Sequence, residues 1–139
     1  MSLFLHLQMK KLQSNRTSVF NVSYHVIFCP KYRRKVLVSG VDVRLKVILQ
    51  EKAEKHGVFI EKLEVMPDHV HLFIKSNPKL SIHSIVSKLK GYSAFILRKE
   101  FPYLKSKLPC LWTRSYYVET IGSISEKTIK QYIENQKYI

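Results

Sequence analysis

Two histidines separated by one residue, His69 and His71, open the apolar run His-Val-His-Leu-Phe-Ile-Lys that ends at Lys75. Side chains alternate across a β-strand, so residues two apart share a face about 6.6 Å apart along the backbone, a span that one metal ion can bridge. Val70, Leu72 and Ile74 then point the other way, into a core. Two strand imidazoles can equally be hydrogen-bonded to their neighbours. As ligands they do not complete a site, so at least one more must come from elsewhere in the chain, and zinc would want a Cys or a third His close by. Asp68 directly precedes the pair, and alternation turns it away from both histidines, as a structural turn residue. His6, His25, His56 and His83 read as ordinary surface or core positions.

Near the C-terminus Tyr132 and Gln136 stand at i and i+4 of a helical stretch, which puts them on one face, with Ile129 and Ile133 as the packing stripe beside them. Alone, a helical tyrosine is a packing residue and a helical glutamine a solvated one. Beside a His-x-His strand they complete a chemical set. A divalent metal held by two imidazoles and one amide oxygen keeps positions open for phosphate oxygens and acts there as a Lewis acid. A tyrosine hydroxyl can then attack phosphorus and remain attached as a covalent intermediate. Free tyrosine has a pKa of about 10, so at neutral pH the nucleophile is almost wholly protonated and needs such help.

The elements that must position these groups are legible in the pattern. Phe20, Val22, Tyr24, Val26 and Phe28 alternate with Asn21, Ser23, His25, Ile27 and Cys29, a strand stopped by Pro30. Lys31-Tyr-Arg-Arg-Lys35 follows as a cationic loop. Helical spacing of Val41, Leu45, Ile48 and Leu49 predicts a helix to about His56, with Gly57 as its stop. Val58 to Val65 reads as a second strand, Met66-Pro67-Asp68 as a turn, and His69 to Lys75 as a third strand paired back on the second. A helix from about Ser81 to Glu100 buries Ile82, Ile85, Val86, Leu89, Ile96 and Leu97, and a loop then runs through Pro109. Leu111 to Ile121 reads as a fourth strand broken by Gly122. Ser123 and Glu126 form a capping box that opens a last helix over 124–137.

The order β-α-β-β-α-β-α predicts an α+β fold, the ferredoxin-like or RRM-like split β-α-β sandwich: a four-stranded antiparallel sheet with two helices on one face, plus a C-terminal helix carrying the tyrosine. At 139 residues the chain is expected to form a single domain, with 1–16 as an irregular N-terminal arm. A 45% hydrophobic and 12% aromatic content excludes disorder despite the charge. The 24 Lys and Arg against 10 Asp and Glu give a net charge of +14, which favours a polyanionic partner. No stretch reaches the roughly 20 apolar residues of a membrane span, and Leu3 to Met9 lacks the flanks of a signal peptide. Cys29 and Cys110 offer neither a disulfide framework nor a metal spacing, so the expected location is cytoplasmic.

Three motifs, in order, carry a resemblance. Tyr24-His-Val-Ile-Phe-Cys-Pro-Lys-Tyr-Arg-Arg-Lys35, Met66-Pro-Asp-His-Val-His-Leu-Phe73, and the stretch from Leu111-Trp to Thr128-Ile-Lys-Gln-Tyr-Ile-Glu-Asn-Gln136 resemble the single-tyrosine HUH transposases of small bacterial and archaeal insertion sequences. The resemblance spans about Ser14 to Gln136. It implies a dimeric transposase that cuts and rejoins single-stranded DNA, with metal ligands at His69, His71 and Gln136 and the nucleophile at Tyr132. It further implies a 5'-phosphotyrosine intermediate, a divalent ion, Mg2+ or Mn2+, and DNA hairpins at the element ends as the partner. The tyrosine helix can dock on the partner subunit, so that active sites are shared in trans. Phosphodiester energy is conserved, and no Gly-rich phosphate loop is present, so no nucleotide cofactor is implied. Lys31, Arg33, Arg34 and Lys35, with Lys88, Lys90, Arg98 and Lys99 on the second helix, are the expected DNA contacts.

Rival readings keep the scaffold and change the chemistry. A non-catalytic binder of RNA or single-stranded DNA is one, faintly echoed by the aromatic run Lys90-Gly-Tyr-Ser-Ala-Phe95, although the spacing of that run fails and its flanks are helical. A domesticated or relaxase-like nicking relative and a zinc hydrolase are the others.

Overall fold

The computed structural model of the chain describes residues 22–75 and 79–122. Four strands, β1 (Val22–Phe28), β2 (Phe59–Met66), β3 (His69–Lys75) and β4 (Tyr117–Gly122), form one antiparallel sheet in the order β2-β3-β1-β4. Helices α1 (Val41–Lys55) and α2 (Ile82–Glu100) connect β1 to β2 and β3 to β4. This is the expected split β-α-β arrangement. Residues Ser23–Thr120 make one compact unit, whereas the expected N-terminal arm 1–16 and C-terminal helix 124–137 lie outside the described residues.

Strand parity decides which side chains go where. Val26 and Phe28 of β1 and Val70, Leu72 and Ile74 of β3 are buried with Leu45, Ile48 and Leu49 of α1 and Ile85, Val86, Leu89 and Leu97 of α2 in a single apolar cluster. The register pairs Ile27 with His71 and His25 with Phe73, so these four side chains share the face opposite to the core. In β2 the pairing shifts between Ile60 and Lys62, leaving Glu61 as an extra residue. A one-residue offset flips a strand's faces. Ile60 therefore points into the core before the bulge, and Lys62, Glu64 and Met66 stand opposite Phe73, His71 and His69 after it. Glu61 accepts a hydrogen bond from Ser23 Oγ at 2.8 Å.

The two-residue turn Pro67-Asp68 closes the β2–β3 hairpin where Met66 pairs with His69. Leu37 N–H donates to the Pro67 carbonyl at 3.1 Å, which brings the chain after β1 against this turn. Ser81 caps α2 by accepting from Ser84 N–H at 3.1 Å. The run Lys90–Phe95 lies inside this helix, so the aromatic strand of the RNA-binder reading is not formed.

Two expectations change between Phe101 and Gly122. The loop after α2 contains a short helix, α3 (Tyr103–Lys107), which buries Leu104. The fourth strand is shorter than Leu111 to Ile121 and runs through Gly122. Its expected first half is instead an irregular strap pinned to the end of β1: Trp112 bridges Pro30, Lys31 N–H donates to the Leu111 carbonyl at 2.8 Å, and Thr113 N–H donates to the Cys29 carbonyl at 3.0 Å. The Trp112 indole packs edge-on against Phe28 and donates to buried Ser93 Oγ at 3.0 Å. From Thr113 to Ser115 the strap is outside any strand. Lys90 Nζ donates to the carbonyls of Thr113, Arg114 and Ser115. An ammonium group has three donors, and these three acceptors use all of them. Burial pushes the Lys90 pKa below its ordinary value.

Removing this ammonium takes the donor from the Thr113 and Arg114 carbonyls, while Ser115 keeps that of Thr113 Oγ1, a loss of about 1–3 kcal/mol. Lys90→Met is therefore expected to lower the urea midpoint clearly, with exposed Lys88→Met as the control that does not. Equal midpoints for the two variants would contradict the strap assignment.

Candidate active site

The open face of the sheet gathers His25, His69, His71, Phe73, Tyr117 and Glu119. The His69 and His71 rings, on adjacent outward positions of β3, have centroids 4.8 Å apart and meet edge to face at 75°. Each ring is held at Nδ1. His69 Nδ1 lies 2.7 Å from Asp68 Oδ1, and His71 Nδ1 lies 3.1 Å from His25 Nε2. Neither Nε2 is engaged by a hydrogen bond among the described residues.

Asp68 is thus not the bystander expected from strand alternation. It sits in the turn, where the chain reverses and alternation does not apply, and its side chain folds back on the next residue. Its second oxygen accepts from Arg33 at 3.1 Å. The hydrogen bond from His69, aided by the Arg33 charge, holds the Asp68 carboxyl below the usual carboxylate range. Arg33 itself lies in a backbone segment where Tyr32 and Arg33 both take positive φ, 59° and 51°. Left-handed backbone at two successive residues with side chains is costly and marks a segment fixed by its surroundings.

His25, expected to be unremarkable, is the centre of a second cluster. Its ring stacks on Phe73 with centroids 4.4 Å apart and planes 4° from parallel, and lies edge to edge with His71, centroids 5.4 Å apart and planes 15° from parallel. His25 Nδ1 is 2.9 Å from Glu119 Oε1, and Tyr117 hydroxyl donates to Glu119 Oε2 at 2.9 Å. These two bonds hold the Glu119 carboxyl below its usual range, and the same carboxylate raises the pKa of Tyr117. Burial, with the neighbouring His69 and His25, keeps the His71 imidazole below its ordinary value and so favours the neutral ring that a metal needs. The signal for His25 was present in the sequence: strand alternation puts it on the face away from the core, and the split β-α-β order sets β1 beside β3.

The two imidazoles fit a metal site by the chemistry of their donors. Metal-binding histidines ordinarily hand their other ring nitrogen to a carboxylate or another acceptor, which fixes the ring and leaves a lone pair outward. Both rings have a hydrogen-bond partner at Nδ1 and an unengaged Nε2 among the described residues. Among the described residues no group of three His, Cys, Asp or Glu side chains is placed to enclose an ion. Tyr132 and Gln136 lie outside the described residues.

The expected DNA contacts separate into two classes. Arg33, Arg34 and Lys35 are exposed on the loop after β1, next to the Asp68 turn, with Lys31 half-buried beside them, and Lys88 and Lys99 are exposed on α2. Lys90 and Arg98 are committed elsewhere: Lys90 to the strap, and Arg98 Nη1 to the Pro109 carbonyl at 3.2 Å. Those two side chains hold neighbouring backbone carbonyls. Cys29 and Cys110 are both free thiols. Among the described residues no helix is long and apolar enough to cross a membrane.

Comparison with known proteins places this geometry in context. The family described as "Transposase IS200 like" matches residues 18–136. The ISDra2 transposase TnpA of Deinococcus radiodurans is 42% identical over 134 residues, covering 95% of this chain and 94% of that protein. The IS200 transposase of Salmonella typhimurium is 36% identical over 119 residues, 84% of this chain and 78% of that one. A crystal structure of a Deinococcus radiodurans protein described as a transposase superposes with a TM-score of 0.72 at 42% identity, covering 88% of this chain and 96% of that one. A REP-associated tyrosine transposase bound to a REP hairpin has a TM-score of 0.56 at 13% identity, covering 86% of this chain and 66% of that one, a likeness of fold alone.

The depressed carboxylates have a consequence for stability. A carboxyl whose folded pKa lies below its unfolded value, about 4, adds stability above that pH and loses it as the pH falls through the folded value. Between pH 6 and pH 3 the urea midpoint of the metal-free protein should therefore fall less in an Asp68→Asn, Glu119→Gln double variant than in the wild type. An equal fall in both would show that these contacts are not formed.

Proposed function

The chain belongs to the IS200-like transposase family, and we propose that it excises and inserts its element by cutting and rejoining single-stranded DNA through a covalent 5'-phosphotyrosine at Tyr132. The observation that carries this reading is the pair His69 and His71, each bound at Nδ1 and each with Nε2 unengaged among the described residues. In this reading His69 and His71 bind a divalent ion, Mg2+ or Mn2+, through Nε2, and Gln136 adds its amide oxygen. Such an ion, when bound, withdraws charge from a phosphoryl oxygen and makes the phosphorus easier to attack.

The protein's own groups do the rest. Tyr132 hydroxyl attacks phosphorus, the bond from phosphorus to the 3' oxygen breaks, and the hydroxyl proton ends on that oxygen as a free 3'-hydroxyl. In the reverse step a 3'-hydroxyl attacks the phosphotyrosine, and Tyr132 leaves with the proton. Tyr117 lies beside the histidine cluster, its ring centroid 6.4 Å from that of His25, but its hydroxyl is tied to Glu119 and its pKa is raised, which argues against it as nucleophile. Lys31, Arg33, Arg34 and Lys35 lie beside the Asp68–His69 turn and suit the phosphates flanking the cut, and Lys88 suits a more distant contact. The net charge of +14 fits a DNA partner, and a relative of the same fold is bound to a REP hairpin. A homodimer with tyrosine helices exchanged between subunits completes the proposal.

One assay tests the set. Labelled single-stranded DNA carrying an element end, incubated with the wild type and Mn2+, is expected to give a protein adduct that survives denaturing electrophoresis. Tyr132→Phe and a His69→Ala, His71→Ala variant should each give none, as should excess chelator. Mixed after subunit exchange, the two variants should regain adduct if sites are shared in trans. Adduct formation by Tyr132→Phe would remove the proposed nucleophile, and full activity in chelator would remove the metal.

A further inference from the structure

The two histidines of the candidate metal site are held by different devices. His69 meets a carboxylate directly, from the residue before it in the chain. Among the described residues no carboxylate is hydrogen-bonded to His71. Its Nδ1 meets another imidazole, and that imidazole meets Glu119 on β4. The hydrogen positions along this series follow from donor and acceptor counting. A carboxylate only accepts, so His25 Nδ1 carries the hydrogen that it donates to Glu119 at 2.9 Å. When His25 is neutral its one N–H is spent on Glu119, so Nε2 keeps a lone pair and accepts. Its partner at 3.1 Å, His71 Nδ1, must then donate. That leaves the lone pair of His71 on Nε2, on the open face.

We propose that Glu119 and His25 are positioning residues for His71, fixing its imidazole as the Nδ1–H tautomer so that Nε2 is presented to a metal. The proposal rests on the reading of His71 as a metal ligand. The series is anchored at both ends. Tyr117 hydroxyl holds the second oxygen of Glu119, and the flat stack of His25 on Phe73 prevents its ring from turning away from His71. The His25 side chain is 15% exposed, so water competes weakly for its nitrogens. Three strands take part, β4 through Glu119 and Tyr117, β1 through His25, and β3 through His71 and Phe73. The orientation of this ligand therefore depends on the β1–β4 pairing and not on the hairpin alone. Acceptors of this kind, when removed from a metal-binding histidine, typically cost 10–100-fold in metal affinity.

The test uses the full chain in two states. In the metal-free protein at pH 8, ring 15N shifts should show His71 as Nδ1–H in the wild type. His25→Phe keeps a flat ring on Phe73 and removes both hydrogen bonds, and Glu119→Ala removes the far end at an exposed position. Both variants should lose the tautomer preference. In a Mn2+ titration both should bind about 10–100-fold more weakly, with adduct formation recovered at high Mn2+. His25→Gln, whose amide can accept from His71, should recover part of the affinity. A His71 that is Nε2–H in the wild type, or a tautomer and Mn2+ affinity unchanged in both variants, would overturn the proposal. A wild-type His71 that is Nδ1–H in a chain with no Mn2+ affinity would support the relay and overturn the metal reading instead.

Discussion

Residues two apart in a strand share a face, and the burial of Val70, Leu72 and Ile74 beneath two helices therefore fixes His69, His71 and Phe73 on the opposite side of the sheet. Turning that strand over would expose three aliphatic side chains with essentially no accessible surface, at roughly 1.5–3 kcal/mol each. Everything chemical on the open face inherits its position from this constraint. The bulge at Glu61 extends it to β2, where it keeps Ile60 inside while aligning Lys62 and Glu64 with the histidine face. The pairing of β1 with β3 extends it to His25.

A face fixed by burial is still only a platform. What makes it a site is that both imidazoles are engaged on the same ring nitrogen. Asp68 reaches His69 because it stands in the turn, and its other oxygen gathers Arg33, so a single carboxylate links the cationic loop to the first histidine. The second histidine draws its support from across the sheet. Carboxylates held below their usual range at Asp68 and Glu119 supply the negative charge that steadies these rings. Membership of the IS200-like transposases gives the fold a role, DNA transposition, that a pair of imidazoles alone would leave open.

Much of this was legible from residue order. Apolar periodicity located α1, α2 and the first three strands to within a residue or two, because each has one face to bury and one to expose. The stretch from Leu111 to Tyr116 misled for the same reason: Leu111 and Trp112 are buried, but in a strap, with Trp112 on Phe28 and Ser93, and not in a ladder. Propensity cannot distinguish those two kinds of burial. The carbonyl contacts of Lys90 and Arg98 were not legible, because a cation on a helix looks the same whether it faces water or a row of carbonyls. Lys90 is one position past Leu89 and four past Val86, at the edge of the buried stripe, and that position was the available clue. His25 and Asp68 show the limit most plainly. One needed the strand order and the other needed the turn geometry, and neither is local information.

The central claim is that His69 and His71 together present two Nε2 lone pairs to one divalent ion. Soaking crystals of the full chain in Mn2+ and recording anomalous scattering tests it most directly. The account predicts one peak at coordinating distance from Nε2 of both histidines, with Asp68 and His25 still on the Nδ1 sides. A peak bound through Nδ1, or no peak between the two rings in a fully soaked crystal, would contradict it.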